Sequence, residues 1–121
     1  MTFPTIKYKA TGTDLQNHLQ NLVVEKFKTL EKYTKDDTGA TCEVEFAKAA
    51  PHQHGEVFRF EANIWIKGKL YRAEATESNF EKAIAQVRNE LDSEMLRFHK
   101  RKESMMRKGG RKIKEMLRFG R

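Results

Sequence analysis

The sequence predicts an α+β fold: a four-stranded sheet with two roughly parallel helices packed on one face, in the order β-α-β-β-β-α, followed by a basic C-terminal tail. Two observations carry this prediction. Four short segments alternate apolar and polar residues, as half-buried strands do, and two longer segments repeat apolar residues at helical spacing. Each element therefore has one apolar face, and placing both helices on the same side of the sheet buries all of these faces. The 121 residues provide for one domain of this kind.

The first strand and the first helix are predicted within residues 5–35. Residues 5–10 alternate apolar and polar side chains, which indicates a strand. Thr13 and Gln16 have the spacing of a capping box, so a helix of about five turns is expected to follow them. Its apolar stripe consists of Leu15, Leu19, Leu22, Val23, Phe27, Leu30 and Tyr33. The opposite stripe is basic and consists of Asn17, Asn21, Lys28, Lys32 and Lys35.

An antiparallel meander of three strands is predicted next, over residues 41–48, 56–67 and 70–76. The connection between the last two strands, Lys67-Gly68-Lys69, is short enough for a hairpin. On the polar face, pairing of the strands would bring Glu43 and Glu45 near Glu61, where mutual repulsion could raise a pKa, although an exposed polar sheet face is the ordinary interpretation.

Trp65 belongs to the same polar face and has two interpretations. Its indole could stack on a nucleic-acid base, or it could pack across the sheet against Tyr71 or Val44 as a neighbour. Both interpretations stay open at the level of the sequence.

The second helix is predicted to begin at a capping box formed by Ser78 and Glu81. Its apolar stripe consists of Phe80, Ala83, Ile84, Val87, Leu91, Met95 and Phe98. Its outer stripe consists of Lys82, Gln86, Asn89, Ser93, Arg97 and Lys100. The apolar pattern weakens beyond residue 100, so the folded domain is predicted at residues 1–102 and a basic, flexible tail at residues 103–121.

The charge is unevenly distributed along the chain. The formal net charge is +7, and residues 97–121 contain eleven basic and two acidic residues. A lysine stripe on a single helix is ordinarily just solvated. Two such stripes on one side of a sheet, continued by a basic tail, would form a cationic track that binds phosphates through charge neutralisation and counterion release. The sequence therefore predicts a nucleic-acid partner, and RNA is favoured because no DNA-reading motif is found.

Several other classes are excluded or disfavoured. The single cysteine, Cys42, cannot form an internal disulfide, and no signal peptide or membrane span is recognisable, so a cytoplasmic protein without a membrane partner is expected. None of the common nucleotide-binding, hydrolase or metalloprotease motifs occurs, so the protein is not expected to be an enzyme. His52 and His54 flank one residue in a loop and are interpreted as solvated. Neither a metal, a cofactor nor a small-molecule substrate is predicted.

A set of short stretches, taken in order, carries a family resemblance. These stretches are Thr11-Gly12, residues 26–33, residues 61–68, residues 70–75 and residues 79–84 with Leu91. Over roughly residues 5–102 the sequence resembles the short form of the ribosome hibernation promoting factor and ribosome-associated inhibitor A family. The long form of that family has a further domain that pairs ribosomes, and the residues after 102 are too few to form one.

The resemblance implies a specific function. It implies a translation inhibitor of the stationary or stressed bacterial cell, one that binds ribosomal RNA of the small subunit in the channel used by messenger and transfer RNA. The rRNA-binding residues implied by the resemblance are Lys26, Lys28, Lys32, Lys35, Lys82, Arg88, Arg97, Lys100, Arg101 and Lys102. This chain departs from the family pattern at residues 89–94, where Glu90 and Glu94 add anions and two of the family's cations are missing.

Two alternatives remain at this stage. A general double-stranded RNA-binding module has similar elements, but the strand before the first helix argues against it. A membrane-binding or partner-binding protein could instead work through the tail, where basic residues are interleaved with Ile113, Met116 and Leu117. The sequence does not distinguish silencing of single ribosomes from pairing of ribosomes.

Overall fold

In the computed structural model, which describes residues 3–48, 55 and 57–107, the predicted α+β architecture is confirmed. The strands are β1 (Ile6–Thr11), β2 (Thr41–Lys48), β3 (Phe58–Ile66) and β4 (Lys69–Glu77). The helices are α1 (Asn17–Phe27), α2 (Glu31–Thr34) and α3 (Phe80–Arg107), with a 3₁₀ turn, Lys28–Leu30, between α1 and α2. The strands lie in the order β1-β2-β3-β4. β1 is parallel to β2, and the other pairs are antiparallel.

The hairpin between β3 and β4 has a two-residue loop. Lys67 and Gly68 both have positive φ, 51° and 81°, which is the conformation of a type I′ turn and matches the twist of the flanking strands. The Lys67 N–H donates to Oδ2 of Asp37 at 2.6 Å, and Oδ1 of the same carboxylate accepts from the Gly39 N–H at 2.9 Å. These two backbone donors hold the pKa of Asp37 below its ordinary value. The hairpin is thereby tied to the loop that leads into β2.

The first helix differs from its prediction in two ways. It begins at Asn17, and its N-cap, Gln16, makes no side-chain capping bond, so the predicted capping box is wrong. It is also interrupted by the 3₁₀ turn instead of running for five regular turns. The Thr29 hydroxyl donates to the Lys26 carbonyl at 2.6 Å, a local bond that competes with regular helix geometry. Leu30 and Thr34, on either side of the junction with α2, are buried in the core.

The cap of α3, the second predicted helix, lies one residue later than predicted. Asn79, not Ser78, accepts the Lys82 N–H, at 2.8 Å, so the capping residue is the asparagine. The helix continues to Arg107, five residues past the predicted domain boundary. The remainder of the predicted tail, residues 108–121, lies outside the described residues.

Both helices lie on the same face of the sheet and run in the same direction. The side chain of His18, near the start of α1, is 3.7 Å from Glu81, near the start of α3. Further along, Tyr33 of α2 bonds Asp92 of α3. Contacts at corresponding points along both helices establish the roughly parallel arrangement that the apolar stripes predict. Between helices and sheet lies one core with a chain of ring contacts. Phe27 meets Phe60 edge-to-face, Phe60 meets Phe46 at a tilted angle, and Phe46 meets Phe80 edge-to-face.

Candidate nucleic-acid interface

The two helices are joined by a polar network centred on Asp92. One oxygen of its carboxylate accepts a hydrogen bond from the Tyr33 hydroxyl at 3.0 Å. The same oxygen is 3.8 Å from Lys32 Nζ and 3.9 Å from an Arg88 guanidinium nitrogen. Arg88 also donates through Nε to the Thr29 hydroxyl at 2.8 Å. The network fixes the spacing of the two helices, and it engages two side chains that the resemblance implies as RNA contacts.

The Tyr33 hydroxyl is the most strongly perturbed member of this network. Burial, the hydrogen bond to Asp92 and the negative charge of that carboxylate together raise the pKa of Tyr33 to about 12, while Arg88 opposes the rise. A phenol whose folded pKa is higher than its ordinary value of 10.0 stabilises the fold in its protonated form. This stabilisation is fully present below pH 10 and is lost as the pH rises through about 12.

Tyr33→Phe is therefore expected to lower the free energy of unfolding by about 1 kcal/mol at neutral pH, since it removes one hydrogen bond to a charged acceptor at a partly exposed position. The difference between wild type and variant should shrink as the pH rises from 10 to 12. Urea unfolding followed by far-ultraviolet circular dichroism at several pH values measures both effects. An undiminished difference above pH 12 would contradict the assignment.

The ten predicted RNA-binding side chains lie on the helices in unequal environments. Lys26, Lys28, Lys32 and Lys35 are exposed and Arg88 is half-buried, and of these Lys32 and Arg88 also belong to the Asp92 network. The others on α3 are exposed and comprise Lys82, Arg97, Lys100, Arg101 and Lys102. Lys82 lies in the first turn of α3, and its Nζ is 3.3 Å from the Ser78 hydroxyl.

Within α3, as far as Arg107, the charges do not form the continuous cationic track that the sequence predicts. Eighteen residues separate Lys82 from Lys100, which is about 27 Å along the helix axis. Residues 80–96 contain two basic and four acidic side chains, whereas residues 97–107 contain five basic and one acidic. The cations therefore concentrate in the second half of α3. Residues 96–103 are all exposed there, because the last core residue of the helix is Met95.

Two hairpin lysines join this cationic end and were not predicted as site residues. Lys67 lines the same cleft as Lys32 and Lys102, and Lys69 Nζ lies 5.0 Å from the centre of the Phe98 ring. Their contribution depends on where the hairpin meets α3, which the local sequence does not reveal. The alternation of β3 and β4 around Gly68 was the one available signal, since it places the turn at this end of the sheet.

The opposite face of the sheet carries balanced charges. Arg59 bonds both Glu61 and Glu74, and Arg72 Nε is 3.1 Å from Glu61. Burial opposes ionisation of Glu61, but hydrogen bonds from Asn63 and Arg59 and the positive charges of Arg72 and Arg59 outweigh it, so the pKa of Glu61 is lowered. The suggestion that neighbouring carboxylates raise a pKa here is wrong for Glu61, because Asn63, Arg59 and Arg72 stabilise its charged form.

Trp65 is exposed on this same face, opposite Leu70 in the neighbouring strand. Tyr71 and Val44 are buried on the other face, where the helices pack. Packing of the indole against those side chains is therefore ruled out by the pleat of the sheet.

Within the described residues no cluster of three or more His, Cys, Asp or Glu side chains could hold a metal ion. Burial, and secondarily the charge of Glu43, raises the pKa of the Cys42 thiol to about 12, so this cysteine is a core residue and not a nucleophile. His52 and His54 lie outside the described residues.

No helix in residues 3–48 or 57–107 has the length and apolar character required to cross a bilayer.

Comparisons with known proteins agree with the fold and the order of elements. Residues 6–103 match the family described as Sigma 54 modulation protein / S30EA ribosomal protein. The structure resembles the N-terminal domain of Thermus thermophilus Protein Y, with 21% identity and a TM-score of 0.62, over 76% of this chain and 94% of that one. It also resembles a ribosomal subunit interface protein from Coxiella burnetii, with 17% identity and a TM-score of 0.61, over 78% and 96%. Because both sequence identities are below 25%, these two structures support the fold alone. None of the curated proteins compared with the chain matches it.

Proposed function

The chain belongs to the Sigma 54 modulation protein / S30EA ribosomal protein family, and from this membership we propose that it is a ribosome-associated hibernation factor. In this proposal it binds ribosomal RNA of the small subunit, in the channel used by messenger and transfer RNA, on idle ribosomes of stressed or stationary bacterial cells. Translation is inhibited because the bound domain occupies space that messenger and transfer RNA require. The protein acts by binding and has no catalytic role.

The observation that carries the proposal is the concentration of exposed cations at one end of the helical layer. Residues 97–107 contribute five basic side chains, and Lys35, directly after α2, is exposed as well. Long, flexible, solvated cations on helices neutralise phosphates without reading bases, which suits a folded RNA that is recognised by shape. The opposite sheet face is disfavoured as the contact surface, because Arg59 and Arg72 are paired there with Glu61 and Glu74.

Sedimentation with purified ribosomes tests the proposal directly. In low salt the protein is expected to migrate with the small subunit in a sucrose gradient and to inhibit cell-free translation. The same gradient shows whether ribosome dimers form. A protein that stays at the top of the gradient in low salt contradicts the proposal.

Neutralising two cations on α3 is expected to weaken ribosome binding. In the double variant Lys100→Gln/Arg101→Gln, the slope of log affinity against log salt should fall by about 2, since each lost phosphate contact reduces it by about 1. Both side chains are exposed and make no ion pair with another described residue, so the fold should be unchanged.

The matched control for this variant is Lys7→Gln/Lys9→Gln. It removes the same charge from β1, on the sheet face opposite the helices. For this control, the slope of log ribosome affinity against log salt should equal that of the wild type. Equal losses in both double variants would show that only net charge matters and would remove the helical face from the proposed contact surface.

A further inference from the structure

A cleft of about 290 Å³ lies where the end of α2, the β3–β4 hairpin and the second half of α3 meet. Its apolar lining includes three buried side chains, those of Ile66, Tyr71 and Met95. The ring of Phe98 also lines it and is 40% exposed, edge-to-face with Tyr71 at a centroid distance of 6.2 Å. The cleft thus offers an accessible aromatic surface beside an apolar floor.

The rim of this cleft is cationic. Lys32, Lys67 and Lys102 line it, together with the acids Asp36 and Glu103. The Glu103 carboxylate is 3.4 Å from His99, which lies one helical turn earlier on the same face of α3. Lys69 does not line the cleft, but its ammonium group lies over one face of the Phe98 ring, 5.0 Å from the ring centre. An aromatic wall bordered by several ammonium groups is complementary to a flat ring attached to phosphates.

The walls of the cleft are fixed before any ligand enters. Asp37 holds the hairpin through the Lys67 N–H, and Tyr33 is held by Asp92 across the helices. A preformed site loses little conformational freedom when it binds, so a single inserted group can contribute measurably to affinity.

We infer that this cleft binds one unpaired nucleobase of an RNA strand, which stacks on Phe98 while the flanking phosphates are neutralised by Lys102, Lys32 and Lys67. The volume is close to the lower limit of small-molecule sites, about 300 Å³, and so suits one base, not a run of them. A base inside a duplex is stacked and paired, so the occupant must be an unpaired nucleotide. The inference rests on the proposed function for its RNA partner and adds a site to it.

The test compares two labelled probes of equal charge: a decamer of riboadenosine, and a decamer of abasic ribose-phosphate. Binding of each to the intact protein is measured by fluorescence anisotropy at low salt. The wild-type protein should bind the adenosine decamer about tenfold more tightly, the ratio expected for one stacked base. Equal affinities, as expected if the apolar floor receives a protein segment instead, would overturn the inference.

Three variants test whether the Phe98 ring produces the preference for the adenosine decamer. Phe98→Leu keeps an apolar side chain and should abolish the tenfold ratio, whereas Phe98→Tyr keeps the ring face and should preserve it. Leu96→Ala is the matched control, because Leu96 is also 40% exposed on α3 but does not line the cleft. Retention of the ratio in a folded Phe98→Leu variant, or its loss in Leu96→Ala, would overturn the inference. The assay contains no ribosome, so failure of the proposed function appears separately, in the sedimentation experiment.

Discussion

Phe27→Ala is expected to destabilise the protein by about 3–5 kcal/mol. Phe27 is the last residue of α1 and is completely buried. Its ring meets those of Phe3 and Phe60 edge-to-face, each at a centroid distance of 6.0 Å. Truncation would therefore leave a cavity among the N-terminal segment, α1 and β3. Since the free energy of unfolding of domains of this size is only about 5–15 kcal/mol, this substitution would remove a large part of it.

Urea unfolding followed by circular dichroism measures this effect. Val24→Ala is the matched control: it lies one helical turn earlier and is 52% exposed, so its change should stay within about 0.5 kcal/mol. A loss below about 1 kcal/mol in Phe27→Ala would show that this ring does not connect the helix to the sheet as described.

The strands were predictable because their signal is local. β2 spans Thr41–Lys48, the range that its alternating pattern predicts. The break between two alternating runs at residues 67–69 predicts a hairpin, and the structure confines its loop to Lys67 and Gly68. In a sheet with one covered face, a shift by one residue would expose the whole apolar set, so the pattern allows only one register.

The ends and the interruption of the helices were less predictable. Ser78 and Asn79 are adjacent and both are capable of capping, and only the backbone conformation decides that Asn79 accepts the Lys82 N–H. The 3₁₀ turn before Glu31 leaves the spacing of apolar residues almost unchanged, so periodicity cannot reveal it.

The candidate site was predictable only where its features are local in the sequence. The accumulation of cations after Met95 is a property of composition and was recognised as a charge asymmetry. The role of Asp92 was not recognised, because its partner Tyr33 is 59 residues away in the chain. The family resemblance implies Arg88 as an RNA contact, and only the packing of the two helices shows that Thr29 and Asp92 engage it.

Deletion of residues 108–121 is expected to have the largest effect on ribosome binding. The deleted segment contains six basic residues and one acidic residue. If all six cations contact phosphates, the slope of log affinity against log salt should fall by about 5, and affinity near 0.1 M salt should fall by about 10²-fold or more. Arg107 is the chosen point of truncation because α3 extends at least to that residue, so truncation at the boundary predicted at residue 102 would remove helical residues as well.

The shortened chain is expected to keep its fold, since the described core ends at Met95, well before the deletion. An unchanged urea midpoint is the required control. A second control keeps the length and replaces the six basic residues with glutamine. It should reproduce the loss of slope, because the effect is assigned to charge and not to chain length.

The same deletion distinguishes the ribosome from a membrane as the partner of this segment. A lipid anchor would depend on the apolar residues Ile113, Met116 and Leu117, which offer little area to bury in a bilayer. In that case deletion should abolish binding to anionic vesicles and leave the affinity for ribosomes and its salt slope unchanged. We expect the opposite result: a weaker and less salt-dependent complex with the small subunit, and no vesicle binding by the full chain at physiological salt. Replacing the three apolar residues with serine should then leave ribosome binding intact, because counterion release depends on the cations that remain.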